Sequence, residues 1–297
     1  MADPTKKDLR AQRITEGNLD PLSCRFGKTS THREQSLPMK VVVCAKQIPD
    51  PAAPPALDPE HHTLVRTGKL ILDESDSYGV EMGLQLVDAA GEGEVVLVSM
   101  APNQETSGLR TALAMGAARA VLVSDDALAG SDALSTAKVL AAVVEREKPD
   151  LVLAATESTD GYTGTMPVQL AELAGLPSVT FAKSVKVTEG KLEVDRQTEA
   201  GFDKVTCPLP AVVTVTAGVV EPRFPSFKGI MAAKSKPVDQ LTLADLGISP
   251  DQVGRVGARE EVIDVQPAPE RAAGEIIEDD GNAHEKIIAF LEQIKVL

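Results

Sequence analysis

Four short, unbroken apolar runs recur along the chain, each followed by a segment of helical length, and this alternation restricts the fold more than any other feature. The runs are V-V-V-C-A after Lys40, E-V-V-L-V-S at Glu94–Ser99, A-V-L-V-S at Ala120–Ser124 and L-V-L-A-A at Leu151–Ala155. None alternates apolar with polar, so each predicts a strand buried on both faces, which is the environment of a parallel strand. The intervening segments are amphipathic: Ser77–Ala89, Glu105–Met115 closed by Gly116, and Leu134–Lys148 closed by Pro149. Gly and Pro at these ends are helix stop signals. Strands alternating with helices predict an α/β fold, an open, mostly parallel sheet with helices on both faces.

From Lys183 to Val215 the rhythm changes to consecutive strands. Leu192–Gln197 and Lys204–Cys207 flank the turn Glu199-Ala200-Gly201-Phe202, and Pro210–Val215 is a buried strand run. An antiparallel extension of the sheet is expected. The stretch that follows, Val219–Lys236, contains Pro222 and Pro225, which deny it a continuous helix or a central strand, so it reads as a loop. It carries Phe224, Phe227, Ile230 and Met231 among Lys228, Lys234 and Lys236. Apolar groups ringed by cations suit docking on an acidic partner, and they suit equally a loop packed on its own domain. Near the end, Asn282–Ile294 places Ile287, Ile288, Leu291 and Ile294 on one helical face behind Asn282 as cap. That helix packs either back on its own sheet or on a partner.

Composition narrows the function. A net charge of −14 over 297 residues disfavours nucleic acid and anionic lipid, which are bound through Lys and Arg. No apolar run reaches bilayer length and no signal-peptide core is present, so neither a membrane span nor export is expected and the location reads as cytoplasmic. Three scattered cysteines, Cys24, Cys44 and Cys207, make neither a disulfide framework nor a zinc site. Neither G-x-G-x-x-G after a strand, a Walker loop, nor a nucleophile paired with a base occurs. No catalytic residue is expected, and no metal site.

Four motifs, in order, resemble one family. R-T-A-L-A-M-G-A at Arg110–Ala117, V-D-R-Q-T-E-A-G-F-D-K-V-T-C-P-L-P-A-V-V-T at Val194–Thr214, P-R-F-P-S-F-K-G-I-M-A-A-K-S-K at Pro222–Lys236 and P-E-R-A-A-G at Pro269–Gly274 are similar to the electron-transfer flavoprotein beta subunit. The resemblance covers Met39–Leu297. It implies an adenine-nucleotide-binding, Rossmann-like sheet in residues 39–240, with a recognition loop at 222–237. It also implies a C-terminal arm, 241–297, whose helix packs on the alpha subunit of a heterodimer. Residues 1–38, polar and without periodicity, read as a disordered extension. The implied function is electron carriage: acyl-CoA dehydrogenases or other flavin dehydrogenases dock, an FAD shared with and held mainly by the alpha subunit takes their electrons, and a quinone-reducing acceptor receives them. Partner docking falls on Phe227 as anchor, with Ile230, Met231, Lys234 and Lys236.

A nucleotide site is expected at the carboxyl ends of the strands, where the loops after Ala45, Leu72, Ser99 and Ala155 converge. The last combines hydroxyls with two glycines before a helix near Met166: Thr156, Glu157, Ser158, Thr159, Asp160, Gly161, Tyr162, Thr163, Gly164 and Thr165. Small residues let a backbone approach phosphate, though the same stretch also suits a long connection. The resemblance implies that this loop and Ala155 hold AMP together with Cys44, Asp73, Glu74, Ser75, Asp76 and Met100. The chain departs from the family where many relatives have Asn-Pro and it has Asp73-Glu74-Ser75-Asp76. Its loop also lacks their run of acids before Asn-Gln-Thr. Carboxylates repel phosphate, so Asp73 and Asp76 should face ribose hydroxyls or backbone donors. A second FAD in place of AMP, as in the flavin-bifurcating branch, stays open. So does an adenine-nucleotide enzyme of similar fold, against which the Pro-rich loop at Pro49, Pro51, Pro54 and Pro55 argues.

Overall fold

The structure, a computed structural model, describes residues 38–266, 274, 276–279 and 281–297. The N-terminal extension, apart from Pro38, and the P-E-R-A-A-G motif, apart from Gly274, lie outside the described residues. In chain order the elements are β1 (Met39–Cys44), β2 (Gln47–Pro49), β3 (Leu70–Leu72), α1 (Glu74–Ala90), β4 (Gly93–Met100), α2 (Ser107–Met115), β5 (Arg119–Val123), α3 (Ala133–Glu147), β6 (Leu151–Ala155) and α4 (Met166–Leu173). They continue with β7 (Ser178–Thr188), β8 (Lys191–Thr198), β9 (Gly201–Pro208), β10 (Ala211–Val215), α5 (Phe227–Ala233), β11 (Val238–Leu241), α6 (Gly254–Gly257) and α7 (Ala283–Gln293).

Nine strands form one sheet in the order β11-β5-β4-β1-β6-β10-β7-β8-β9. Every pair from β11 to β7 is parallel, and β8 and β9 are added antiparallel at the far edge. The α/β architecture is therefore the one the apolar runs require. Their lack of alternation is explained by two cores: Val41, Val43, Val95 and Leu97 face α1 and α2, while Val42, Val96, Val98 and Val152 face α3 and α4. A strand with an apolar layer on each side has no solvent face to keep polar.

Local chemistry sets the ends of the helices. Asp73 caps α1 by accepting from Ser75 N at 3.0 Å, so the helix starts before Ser77. Glu105 lies outside α2 and accepts from Ser107 N at 2.7 Å, a capping role where a first helical residue was expected. The sheet unit runs to Glu261, and a second unit begins at Val262. Residues 241–261, expected as the start of the arm, thus belong with the sheet, where Leu243 and Val253 join the core on the α3 side. Within the second unit α7 has Asn282 at its cap position, and Ile287, Ile288, Phe290 and Ile294 are exposed.

Candidate functional site

After β1 the chain moves outward through β4 and β5, then returns to the other side of β1 as β6. The carboxyl ends of β1 and β6 therefore flank a topological switch point, where open α/β sheets hold ligands. Cys44 and Ala155 end those two strands, both buried. Burial pushes the Cys44 thiol up to about 12, with the nearby Asp76 adding to the effect, so it stays protonated and inert.

Two aspartates tie the loops here. Asp73 is fully buried; besides capping α1 it accepts from Thr159 N at 2.8 Å and Thr159 Oγ1 at 3.1 Å, fastening the β6–α4 loop to the start of α1. Asp76, also buried, accepts from Lys46 N at 2.6 Å. Of the two surroundings foreseen for these carboxylates, both have backbone donors. Glu74 is exposed on the first turn of α1, and Ser75 serves as the donor to Asp73. Met100 closes β4, half-buried against the core on the α3 side.

Two cations that the sequence reading passed over complete the site. Lys46 Nζ reaches Asp160 Oδ1 at 2.6 Å and Ser158 Oγ at 3.0 Å, and Arg66 Nη2 donates to Asp160 Oδ2. Burial works against the Asp160 carboxylate, but the Lys46 and Arg66 charges outweigh it and hold its pKa below the usual range. Two cations thus bracket the one carboxylate of Asp160. Lys46 stands two residues past the end of β1, a position the sequence shows although it does not show the partner; Arg66, 94 residues from that partner, gave no signal at all.

Gly161 is where these donors converge. A β-carbon there would lie 3.6 Å from Ser158 Oγ and 3.8 Å from both Lys46 Nζ and Thr163 Oγ1. Two hydroxyls and an ammonium around a point without a side chain form a cradle fit for an anionic oxygen. Glu157, Tyr162, Thr163 and Thr165 are exposed along the same loop, and the left-handed backbone at Tyr162 and Gly164 turns it toward α4.

Desolvation raises the Asp76 pKa to about 8, countered by the Lys46 N–H and reinforced by the Asp73 charge. The folded chain thus holds this proton where the unfolded chain releases it. The contribution to stability is greatest at low pH and is lost as pH rises toward the folded value. Asp76→Asn should flatten the profile. Urea unfolding at about pH 5 and about pH 8 should show a smaller decline in the variant, by up to about 1.4 kcal/mol per pH unit. Parallel profiles would refute the buried proton.

A second surface lies beyond β10. The Val219–Lys236 stretch is not all loop: α5 begins two residues after Pro225, capped by Ser226 Oγ accepting from Gly229 N at 3.0 Å. Proline bars a helix through itself but not one started just after it. Phe227, Ile230 and Met231 share the outer stripe of α5 at helical spacing and are exposed, Phe227 by 81% and the preceding Phe224 by 93%. Lys228 and Lys234 are exposed beside them. Lys236 differs from the expectation of a docking cation. Its Nζ donates to Leu113 O at 2.9 Å and Ala117 O at 2.6 Å, and desolvation lowers its pKa. Upstream, Arg223 donates to buried Glu81 from N at 3.2 Å, Nε at 2.7 Å and Nη2 at 3.1 Å, anchoring the loop on α1.

Comparison with known proteins returns one consistent answer. The model of the electron transfer flavoprotein domain matches residues 62–246. The electron transfer flavoprotein subunit beta of Mycobacterium leprae is 40% identical over 263 residues, covering 86% of this chain and 99% of that one. The subunit of the same name from Megasphaera elsdenii is 34% identical, covering 82% of this chain and 93% of its own length. Also similar, at 35% identity over 80% of this chain and 92% of the relative, is the caffeyl-CoA reductase-Etf complex subunit CarD of Acetobacterium woodii.

Proposed function

The chain belongs to the electron transfer flavoprotein family, among its beta subunits, and from that premise we propose that it works as the non-catalytic half of a heterodimeric electron carrier in the cytoplasm. Its partner, the alpha subunit, holds most of an FAD, and that flavin supplies the electron-accepting and electron-donating chemistry. This chain contributes a structural AMP site and the surface that receives reduced flavin dehydrogenases, such as acyl-CoA dehydrogenases, before electrons go on to a quinone-reducing acceptor. The observation that carries the nucleotide part is the convergence of Ser158, Thr163 and Lys46 on Gly161 at the switch point. These residues would hold the phosphate, with Thr159 and Asp73 fixing the loop that presents it. Asp73 and Asp76 are engaged with protein donors and are not spent on phosphate.

A second reading is favoured by the similarity to CarD, a subunit of a caffeyl-CoA reductase-Etf complex. In that reading an FAD takes the AMP cleft and the carrier bifurcates electrons. Denaturing the co-expressed heterodimer and weighing the released ligands by mass spectrometry separates the two. We expect AMP and FAD in equal amounts. Two FAD without AMP would establish the bifurcating form, and release of neither nucleotide would overturn both. ATP hydrolysis by the isolated chain would instead mark an enzyme of similar fold.

A further inference from the structure

The motif R-T-A-L-A-M-G-A contributes no side chain to the cradle around Gly161, and its arginine has a partner that nothing above explains. Arg110 Nη1 on α2 donates to Ala233 O at 2.7 Å and Lys236 O at 2.8 Å, the carbonyls that close α5 and the turn after it. In return Lys236 Nζ donates to Leu113 O and Ala117 O, the carbonyls at the end of α2. Each helix thus has the other segment's cation on its negative end, where charge-assisted bonds and the helix dipole act together. Neither cation has a carboxylate partner among the described residues' ion pairs.

Close packing completes the seat. A β-carbon on Gly229 would stand 2.4 Å from Ala114 O, so α5 rests directly on the α2 backbone. Gly229 and Ala233 take the inner face of α5, and Ala233 is buried. Phe227, Ile230 and Met231 are left on the opposite face, which inverts the pattern of an ordinary surface helix. A helix of seven residues does not hold itself together in water, because nucleation costs more than so few bonds return. Its order must come from outside contacts, and Arg110 and Lys236 supply the polar ones at its carboxyl end.

We infer that Arg110 and Lys236 are positioning residues for docking: they clamp α5 onto α2 so that Phe227, Ile230 and Met231 reach the incoming flavoprotein as a preformed face. This rests on the docking role proposed above. Ordering α5 before encounter removes a cost that would otherwise be met at every docking event. A carrier that must bind and release many times gains from that in the concentration it needs, not in the rate of electron transfer once docked.

The test uses the co-expressed heterodimer and an acyl-CoA dehydrogenase that reduces the wild-type carrier, with carrier concentration varied. Arg110→Gln and Lys236→Met should each raise the KM for the carrier about tenfold while kcat changes by less than about twofold. FAD and nucleotide content should stay at wild-type levels, and α5 amides should exchange hydrogen faster. Phe227→Ala, which leaves the clamp intact, should raise KM without faster exchange. If the clamp variants exchange faster at α5 yet keep the wild-type KM while Phe227→Ala raises it, the clamp inference falls and the docking surface stands. If Phe227→Ala also leaves KM unchanged, the docking surface falls with it. Should Arg110→Gln lose its flavin, Arg110→Lys, which keeps the charge and can satisfy one carbonyl, is judged by the same criterion: a wild-type KM with faster exchange refutes the clamp.

Discussion

Arg223→Ala should destabilise the chain by about 3 kcal/mol, the low end of the cost of orphaning one member of a buried ion pair. Glu81 is buried and accepts three bonds from Arg223; alanine keeps the backbone N–H at 3.2 Å, so Glu81 would lose the two guanidinium bonds and their charge and retain that amide and Gln85 Nε2 at 2.8 Å. The low end applies because the Arg223 side chain keeps 40% of its exposure, so solvent already screens part of the attraction. The pH dependence has a definite sign. Burial pushes the Glu81 carboxyl up, and the Arg223 and Gln85 bonds more than reverse this, so its folded pKa lies below the ordinary glutamate value. Stability from the pair is therefore present above that ordinary value and lost as pH falls through the folded one. The gap between wild type and Arg223→Ala should be widest at neutral pH and shrink in acid, as read by urea midpoints. A variant unfolding with the wild-type midpoint at neutral pH would show that the pair contributes nothing. The loss would also free the Val219–Ser226 approach to α5, since Arg223 fixes it on α1.

How much of this was legible in the sequence follows from where each interaction lies along the chain. The central strands were legible because a strand enclosed by two helical layers must be apolar throughout, and V-V-V-C, V-V-L-V and L-V-L-A-A are so. The two three-residue strands β2 and β3 were not, because three residues show no period. Helix α5 escaped for a related reason: two prolines hide its start and seven residues hardly establish a stripe. Its cap Ser226, directly after Pro225, was the available signal. The contacts of Lys236 were not legible, because charge in a sequence says nothing of what an ammonium can reach. Here it finds carbonyls 119 and 123 residues away. The same holds for Lys46 and Arg66, whose common partner Asp160 lies across the switch point and becomes their neighbour only when β6 returns beside β1. The loops after Ala45, Leu72 and Ala155 were legible as a group because strand ends in a parallel sheet converge whatever the loops contain, whereas Cys44, Asp73 and Asp76 were singled out there by the family resemblance.

The group so gathered makes Asp73 the most consequential side chain in the site. Asp73→Ala should cost about 1 to 2 kcal/mol: about 1 kcal/mol for the lost cap of α1, and up to about 1 kcal/mol for the lost bonds to Thr159, an exposed residue whose amide water can reach. The Thr159 amide and hydroxyl both donate to this one carboxylate. Freed from α1, the loop would hold Ser158 and Thr163 less firmly about Gly161, so AMP carried by the purified heterodimer should fall well below one per chain. FAD content, which the proposed function assigns mainly to the partner, should change little. Added AMP should raise the wild-type urea midpoint, since a ligand of the folded state stabilises by RT ln(1 + [L]/Kd), and should raise that of Asp73→Ala far less. Asp73→Asn keeps one acceptor oxygen but turns a donor toward one of its former partners, so it should fall between the two. Full AMP occupancy in Asp73→Ala would mean that the loop needs no latch. An unaltered unfolding midpoint in the same variant would mean that the buried carboxylate is not what joins β6 to α1.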